Sequence, residues 1–162
     1  MTDQLRFRAA LPRDVAGIVA LVNGFAAERV MLPRTPESVA LALDDFIVAV
    51  DAHGDVMACG ALKEYSPSLA EVASLAVSRR VHAQGLGRAM VERLEALARR
   101  RGIAELFALT LTPRFFERAG YAVADRALYP EKVRRDCASC SRRFGCAEVC
   151  VRRLLDAAAL AA

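Results

Sequence analysis

No apolar run in this sequence reaches the roughly 18 residues that a membrane-spanning helix needs, and Met1-Thr2-Asp3-Gln4-Leu5-Arg6 carries none of the apolar stretch of a secretory leader. A cytoplasmic protein with no membrane partner is the expectation. Internal repeats, low-complexity linkers and composition boundaries are missing too. At 162 residues, 55% hydrophobic and 26% charged, the chain can fill one core but is short for two ordinary domains. A single domain over residues 1–162, with a cysteine-rich piece at 136–151, is the expected organisation. Nor is there a long basic run. The formal charge of +4 is scattered among acids, as in Glu92-Arg93-Leu94-Glu95, and only Arg99-Arg100-Arg101 and Arg134-Arg135 cluster. Such scattering argues against nucleic acid and for a small partner carrying phosphates or carboxylates.

What is present reads as alternating strands and helices. After a strand-like Leu5-Arg6-Phe7-Arg8, Pro12 opens a stretch with Val15, Ile18, Val19, Val22 and Phe25 at helical spacing. A loop from Glu28 to Arg34 leads to Thr35-Pro36-Glu37, a cap residue, a first-turn proline and an acid that suits the helix dipole. Phe46–Val50 and Val56–Leu62 are strand-length apolar runs around the turn Asp51-Ala52-His53-Gly54-Asp55, which predicts a hairpin. A third run, Glu71 to Val77, precedes a helix over Gly87 to Arg101 with Met90, Val91, Leu94, Leu97 and Ala98 on one face, closed by Gly102. Leu106 to Leu111 reads as a strand, Pro113 starts a helix that stops at Gly120, and Tyr121-Ala122-Val123 reads as a further strand. The class is mixed α/β.

The chemistry concentrates where the strand ending Leu75-Ala76-Val77 meets Gln84-Gly85-Leu86-Gly87-Arg88. Glycines let a backbone approach an anion, and the free N–H groups of a helix start can cradle a pyrophosphate. No Gly-Lys-Ser/Thr follows, so this is not a Walker loop, and the second half of the dinucleotide fingerprint is missing as well. The arrangement resembles motif A of the GNAT N-acetyltransferases. That resemblance implies a GNAT fold: a mixed, mostly antiparallel sheet with a splayed parallel strand pair, flanked by helices. It also implies acetyl-CoA as co-substrate, with Leu75, Ala76, Val77, Gln84, Gly85, Leu86, Gly87 and Arg88 as binding positions. The sequence departs from the motif at His82, where Arg or Gln is usual, and at Ala83. His82 stands either as a phosphate contact or as an exposed histidine with no role.

Further stretches sharpen the likeness. Val30-Met31-Leu32-Pro33-Arg34-Thr35, Cys59-Gly60-Ala61-Leu62-Lys63, Ala70 to Val77, Glu105 to Thr110, Phe115 to Tyr121 and Leu128-Tyr129-Pro130-Glu131-Lys132 resemble short N-acetylglutamate synthases that lack an amino-acid-kinase domain. The implied reaction is direct acetyl transfer to the α-amine of L-glutamate, the first step of arginine biosynthesis. A substrate with two carboxylates requires fixed cations or backbone donors. Arg34 matches the family's carboxylate-binding arginine. Leu32, Lys63, Ser74 and Arg142 or Arg143 complete the implied substrate set. Glu71 is the implied general base, directly or through water, and Thr110 either donates to the leaving thiolate or fills a β position. A homodimer is compatible with the sequence. Two other readings stand beside this one: a GNAT enzyme acting on another amine, and a zinc-ribbon-like interaction module.

That last reading comes from the cysteines. Four of five, Cys137, Cys140, Cys146 and Cys150, fall within fourteen residues. Four soft ligands with one knuckle-spaced pair fit a structural zinc site, and free thiols or a single cysteine pair fit equally. Cys59, in an apolar strand, reads as a small buried hydrophobe.

Overall fold

The computed structural model describes residues 4–81, 84–140 and 146–156. They form seven strands, β1 (Arg6–Ala9), β2 (Phe46–Val50), β3 (Val56–Ser66), β4 (Leu69–Val77), β5 (Glu105–Thr110), β6 (Ala122–Val123) and β7 (Val149–Leu154). Five helical segments accompany them: α1 (Val15–Ala27), α2 (Pro36–Leu41), α3 (Leu86–Arg100), α4 (Pro113–Arg118) and the single turn α5 (Pro130–Lys132). The strands lie in the order β1-β2-β3-β4-β5-β7-β6. Pairing is antiparallel except between β4 and β5, which run parallel with Leu69 opposite Glu105 and Glu71 opposite Phe107. Among the described residues no helix is long and apolar enough to cross a membrane.

Local chemistry accounts for most of these elements. Thr35 caps α2 by accepting the Ser38 N–H at 3.1 Å, and the Ser38 hydroxyl accepts the Thr35 N–H at 3.2 Å in return. In the β2–β3 turn the Asp51 carboxylate accepts the N–H groups of His53 and Asp55, both at 2.9 Å. Gly54 there takes φ +86°, a left-handed conformation that favours glycine. Helix α3 begins at Leu86, one residue before the sequence expectation, and Gly102 closes it at φ +77°. One strand has no counterpart in the sequence reading: β7, formed by Val149–Leu154 and placed between β5 and β6. Its alternation is broken by Arg152 and Arg153, so the periodic signal is weak.

The chain divides into two compact units, residues 1–63 with 72–97 and residues 64–71 with 98–162. In the first, Ile18 and Val22 of α1 and Val39 of α2 are buried with Phe46, Val48 and Cys59. Helix α3 presses closely on β3. A Cβ added at Gly60 would stand 2.8 Å from Leu94 Cδ1 and 3.1 Å from Met90 Cγ, so a larger residue has to displace these side chains. In the second unit Phe107 stacks on Tyr129, ring centroids 4.2 Å apart, and Cys150 packs with both.

An ion pair ties β1 to the start of α1. Asp14 is 2% exposed, and its carboxylate meets Arg8 through both oxygens at 2.6 and 3.0 Å while accepting the Leu11 N–H at 2.7 Å. Burial opposes the charge, but these partners outweigh it and hold the carboxyl below the ordinary carboxylate range. Because the folded state favours the ionised form, this stabilisation is present above the unfolded-chain value of about 4 and is lost as pH falls through the lower folded value. Thermal melts as a function of pH should therefore show the parent losing stability below about pH 4. Asp14→Asn should be less stable than the parent at neutral pH, by about 3 kcal/mol, and flatter across the acid range. Gly60→Val should cost about 1–3 kcal/mol by forcing Leu94 and Met90 off the strand, read by denaturant midpoint.

Candidate active site

The first unit carries the glycine turn. After β4, the Ser78 N–H bonds the Met57 carbonyl at 2.7 Å, a short helical turn covers Arg79–Val81, and the chain resumes at Gln84. His82 lies outside the described residues. Gly85 takes φ +71°, and its carbonyl accepts the Ala89 N–H at 3.0 Å, so it is the residue that launches α3. An added Cβ there would touch nothing within 4 Å, which assigns the glycine to its conformation rather than to space. The N–H groups of the first helical residues, Leu86, Gly87 and Arg88, have no acceptor within the helix, and they gather at the positive end of a fifteen-residue helix. That is an anion cradle. Gln84 and Gly85 are exposed at its mouth, and the Arg88 side chain turns along the helix toward Glu92, 3.4 Å away.

Arg34 is built into the same unit from four elements. Asn23 of α1 bonds its backbone on both sides, accepting the Arg34 N–H at 2.8 Å and donating to its carbonyl at 2.9 Å. The guanidinium donates from Nε to the Ser38 hydroxyl at 3.1 Å and from Nη2 to the Ser38 carbonyl at 3.2 Å, both on α2. Nη1 donates to the Ser74 hydroxyl on β4 at 3.2 Å, and the group lies 5.5 Å from the centroid of the Phe46 ring. All of these partners are neutral. Burial lowers the Arg34 pKa from its ordinary value, though arginine stays charged. Among the described residues no carboxylate meets this half-buried cation.

The structure thus brings Arg34 and Ser74, two residues of the implied substrate set, within hydrogen-bond distance. Leu32 is exposed on the loop before Arg34, and Lys63 is half-buried on β3. Arg142 lies outside the described residues. Ser74 itself is unusual, with φ +51° inside a strand. Its carbonyl accepts a hydrogen bond from the Cys59 thiol at 3.3 Å. Burial pushes the Cys59 thiol up to about 12, so it keeps the proton it donates.

The second unit holds the other two candidates. Glu71 is 5% exposed, and Lys132 Nζ stands 3.0 Å from one of its oxygens and 2.8 Å from the other. Lys132 also meets Asp136 at 3.0 Å, and the Tyr65 hydroxyl donates to Asp136 at 2.5 Å under the Arg135 guanidinium. Burial opposes the lysine charge, but the two carboxylates outweigh it and raise its pKa above the ordinary lysine range. Burial, reinforced by the carboxylates of Glu71 and Asp136, also drives the Tyr65 phenol well above its usual value. Glu71 is therefore a buried carboxylate facing a fixed cation. Sequence reasoning missed this network, because Lys132 meets Glu71 across 61 residues and Asp136 meets Tyr65 across 71, separations that leave no local signal. Thr110, 8% exposed at the end of β5, accepts the Thr112 N–H at 2.9 Å and faces the Thr112 hydroxyl at 3.1 Å.

The four-cysteine site does not assemble. Among the described residues no group of three or more His, Cys, Asp or Glu is placed to hold a metal ion. Cys150 belongs to β7 opposite Leu109, packs on Phe107 and Tyr129, and has its thiol pushed up to about 11 by burial. Cys137 ends a π-helical turn, and its carbonyl accepts the Cys140 N–H at 3.2 Å. Cys146 receives an Arg126 N–H at 3.7 Å. The Cys150 side chain is buried in an aromatic cluster instead.

Residues 23–121 match the acetyltransferase (GNAT) family. The chain is 38% identical over 148 residues to an uncharacterized N-acetyltransferase of Chlorobaculum tepidum, covering 91% of this chain and 95% of that one. It is 34% identical over 116 residues to the amino-acid acetyltransferase of Mycobacterium tuberculosis, covering 70% of this chain and 66% of the relative. Among solved structures, N-acetylglutamate synthase from Neisseria gonorrhoeae, complexed with coenzyme A and N-acetyl-glutamate, superposes with TM-score 0.84 at 27% identity. The match covers 96% of this chain but 36% of that one. A Mycobacterium tuberculosis protein in complex with CoA matches at TM-score 0.79 and 25% identity over 93% of this chain and 99% of its own. With the glycine turn, the mixed sheet and the matched residues in agreement, the chain belongs to the GNAT family of acetyltransferases.

Proposed function

We propose that this protein transfers the acetyl group of acetyl-CoA to the α-amine of L-glutamate. One observation carries the choice of acceptor: Arg34, a half-buried guanidinium set by neutral partners, with no carboxylate to meet it among the described residues. A preformed cation of that kind is a receptor for an external anion. A polycationic acceptor would be repelled by it. The relatives named amino-acid acetyltransferases and the Neisseria complex with N-acetyl-glutamate support the same reading.

In this reading the pyrophosphate rests on the N-terminus of α3, and the backbone N–H groups of Leu75 to Val77 hold the pantetheine arm and polarise the thioester carbonyl. Arg34 grips one carboxylate of the acceptor, with Leu32, Lys63, Ser74 and Arg142 as the surrounding substrate set. The amine nitrogen attacks the carbonyl carbon, the C–S bond breaks, and the nitrogen loses a proton to Glu71, directly or through water. The sulfur leaves as thiolate, which accepts a hydrogen bond from the Thr110 hydroxyl and takes its proton from water. Lys132 fixes the Glu71 carboxylate in place through both of its oxygens.

The reading is tested by steady-state kinetics with glutamate and acetyl-CoA, following thiol release. Arg34→Ala should raise the apparent glutamate constant about ten- to hundredfold, since a charge-assisted hydrogen bond contributes about 1.5–3 kcal/mol. Arg34→Lys should fall between that variant and the parent because the planar fork is lost but the charge is kept. Unchanged glutamate saturation in Arg34→Ala, or no turnover of glutamate in the parent, would remove glutamate and leave an acetyltransferase of another amine.

The Glu71 assignment has its own check in the pH dependence of kcat. Glu71→Gln should abolish the acid limb and lower kcat with little change in acetyl-CoA affinity. Lys132→Met removes the cation that favours the carboxylate, so the limb should move to higher pH by about one unit or more. A limb that survives Glu71→Gln would assign proton acceptance to solvent.

A further inference from the structure

Cys59 lies in the middle of β3, opposite Val48 of β2, and is wholly buried. Acetyl transfer as described makes no use of a thiol there, and packing alone would be served by valine or alanine. What distinguishes the residue is its partner. Ser74 is one of two non-glycine residues among those described with positive φ, and the other, Arg29, follows the end of a helix, where such a conformation is common. A left-handed serine within a strand costs roughly 1–2 kcal/mol and persists only where its surroundings hold it. The Cys59 thiol donates to the Ser74 carbonyl at 3.3 Å, so the sulfur holds the backbone at the left-handed residue itself. Arg34 reaches only the Ser74 side chain.

We infer that Cys59 is a positioning residue for the cofactor strand: its thiol, donor to the Ser74 carbonyl, locks the left-handed turn that aims the Leu75–Val77 backbone. The inference rests on the assignment of that backbone to the pantetheine arm. It gives Cys59 a requirement that a simple apolar residue fails. Valine nearly fills the volume but cannot donate to the Ser74 carbonyl, and alanine removes the donor and the volume together.

The test is a double-mutant cycle in the full chain, read by calorimetric titration with CoA and by the acetyl-CoA KM and kcat. Cys59→Val and Cys59→Ala should each weaken CoA binding and raise the acetyl-CoA KM about three- to tenfold, the worth of an ordinary hydrogen bond. Their kcat should change less than KM. Glycine adopts positive φ without being held. In a Ser74→Gly background Cys59→Ala should therefore lose at most half as much CoA affinity as it does in the parent. Lower thermal stability with CoA affinity intact in both Cys59 variants would reduce the residue to packing and overturn the inference. So would an equal loss in the two backgrounds. If Leu75–Val77 do not serve the pantetheine arm, truncating the ligand to its nucleotide half would leave the parent's affinity unchanged, and the inference would fall with that assignment.

Discussion

A guanidinium taken half out of water without a counter-charge is unfavourable unless something holds it, and the first unit is organised around holding Arg34. The amide of Asn23 fixes the backbone, α2 offers a serine hydroxyl and carbonyl, β4 offers a second hydroxyl, and Phe46 lies near the cation. None of these neutralises the charge. The capping of α2 by Thr35 and Ser38 therefore has a second role, since Ser38 also meets Arg34. Removing a cap would loosen a helix and would also turn the cation.

The second unit treats charge in the opposite way. Glu71, Lys132, Asp136 and Tyr65 satisfy one another in a partly buried network, and the neighbouring Tyr129 hydroxyl donates to Glu105 at 2.5 Å. Such networks are sensitive to the loss of any member, because the remaining charges stay buried without partners. A carboxylate that is to accept a proton gains a fixed orientation from this enclosure.

Much of this was legible in the residues. The spacing of Met90, Val91, Leu94 and Ala98 announces the buried face of α3, Thr35-Pro36 the start of α2, Asp51 and Gly54 the β2–β3 turn, and Gly85 the helix start. Each is a local signal, carried within one turn or one strand. What the sequence concealed is non-local or conformational. Lys132 meets Glu71 across 61 residues. The left-handed Ser74 has no glycine to announce it, so the polar role of Cys59 was hidden behind its apolar surroundings. The four cysteines shared a spacing suited to a metal, but the Cys150 side chain is buried in an aromatic cluster.

The insertion of β7 bears on how the protein is made. Strands β5 and β6 are not hydrogen-bonded to each other; each pairs with β7, which follows both in the chain. During synthesis from the N-terminus, β6 waits without a sheet partner until Val149–Leu154 emerges, and one side of β5 waits with it. The second half of the sheet is thus closed from its centre by the last of the described strands, and until that strand pairs, β5 keeps an unpaired edge.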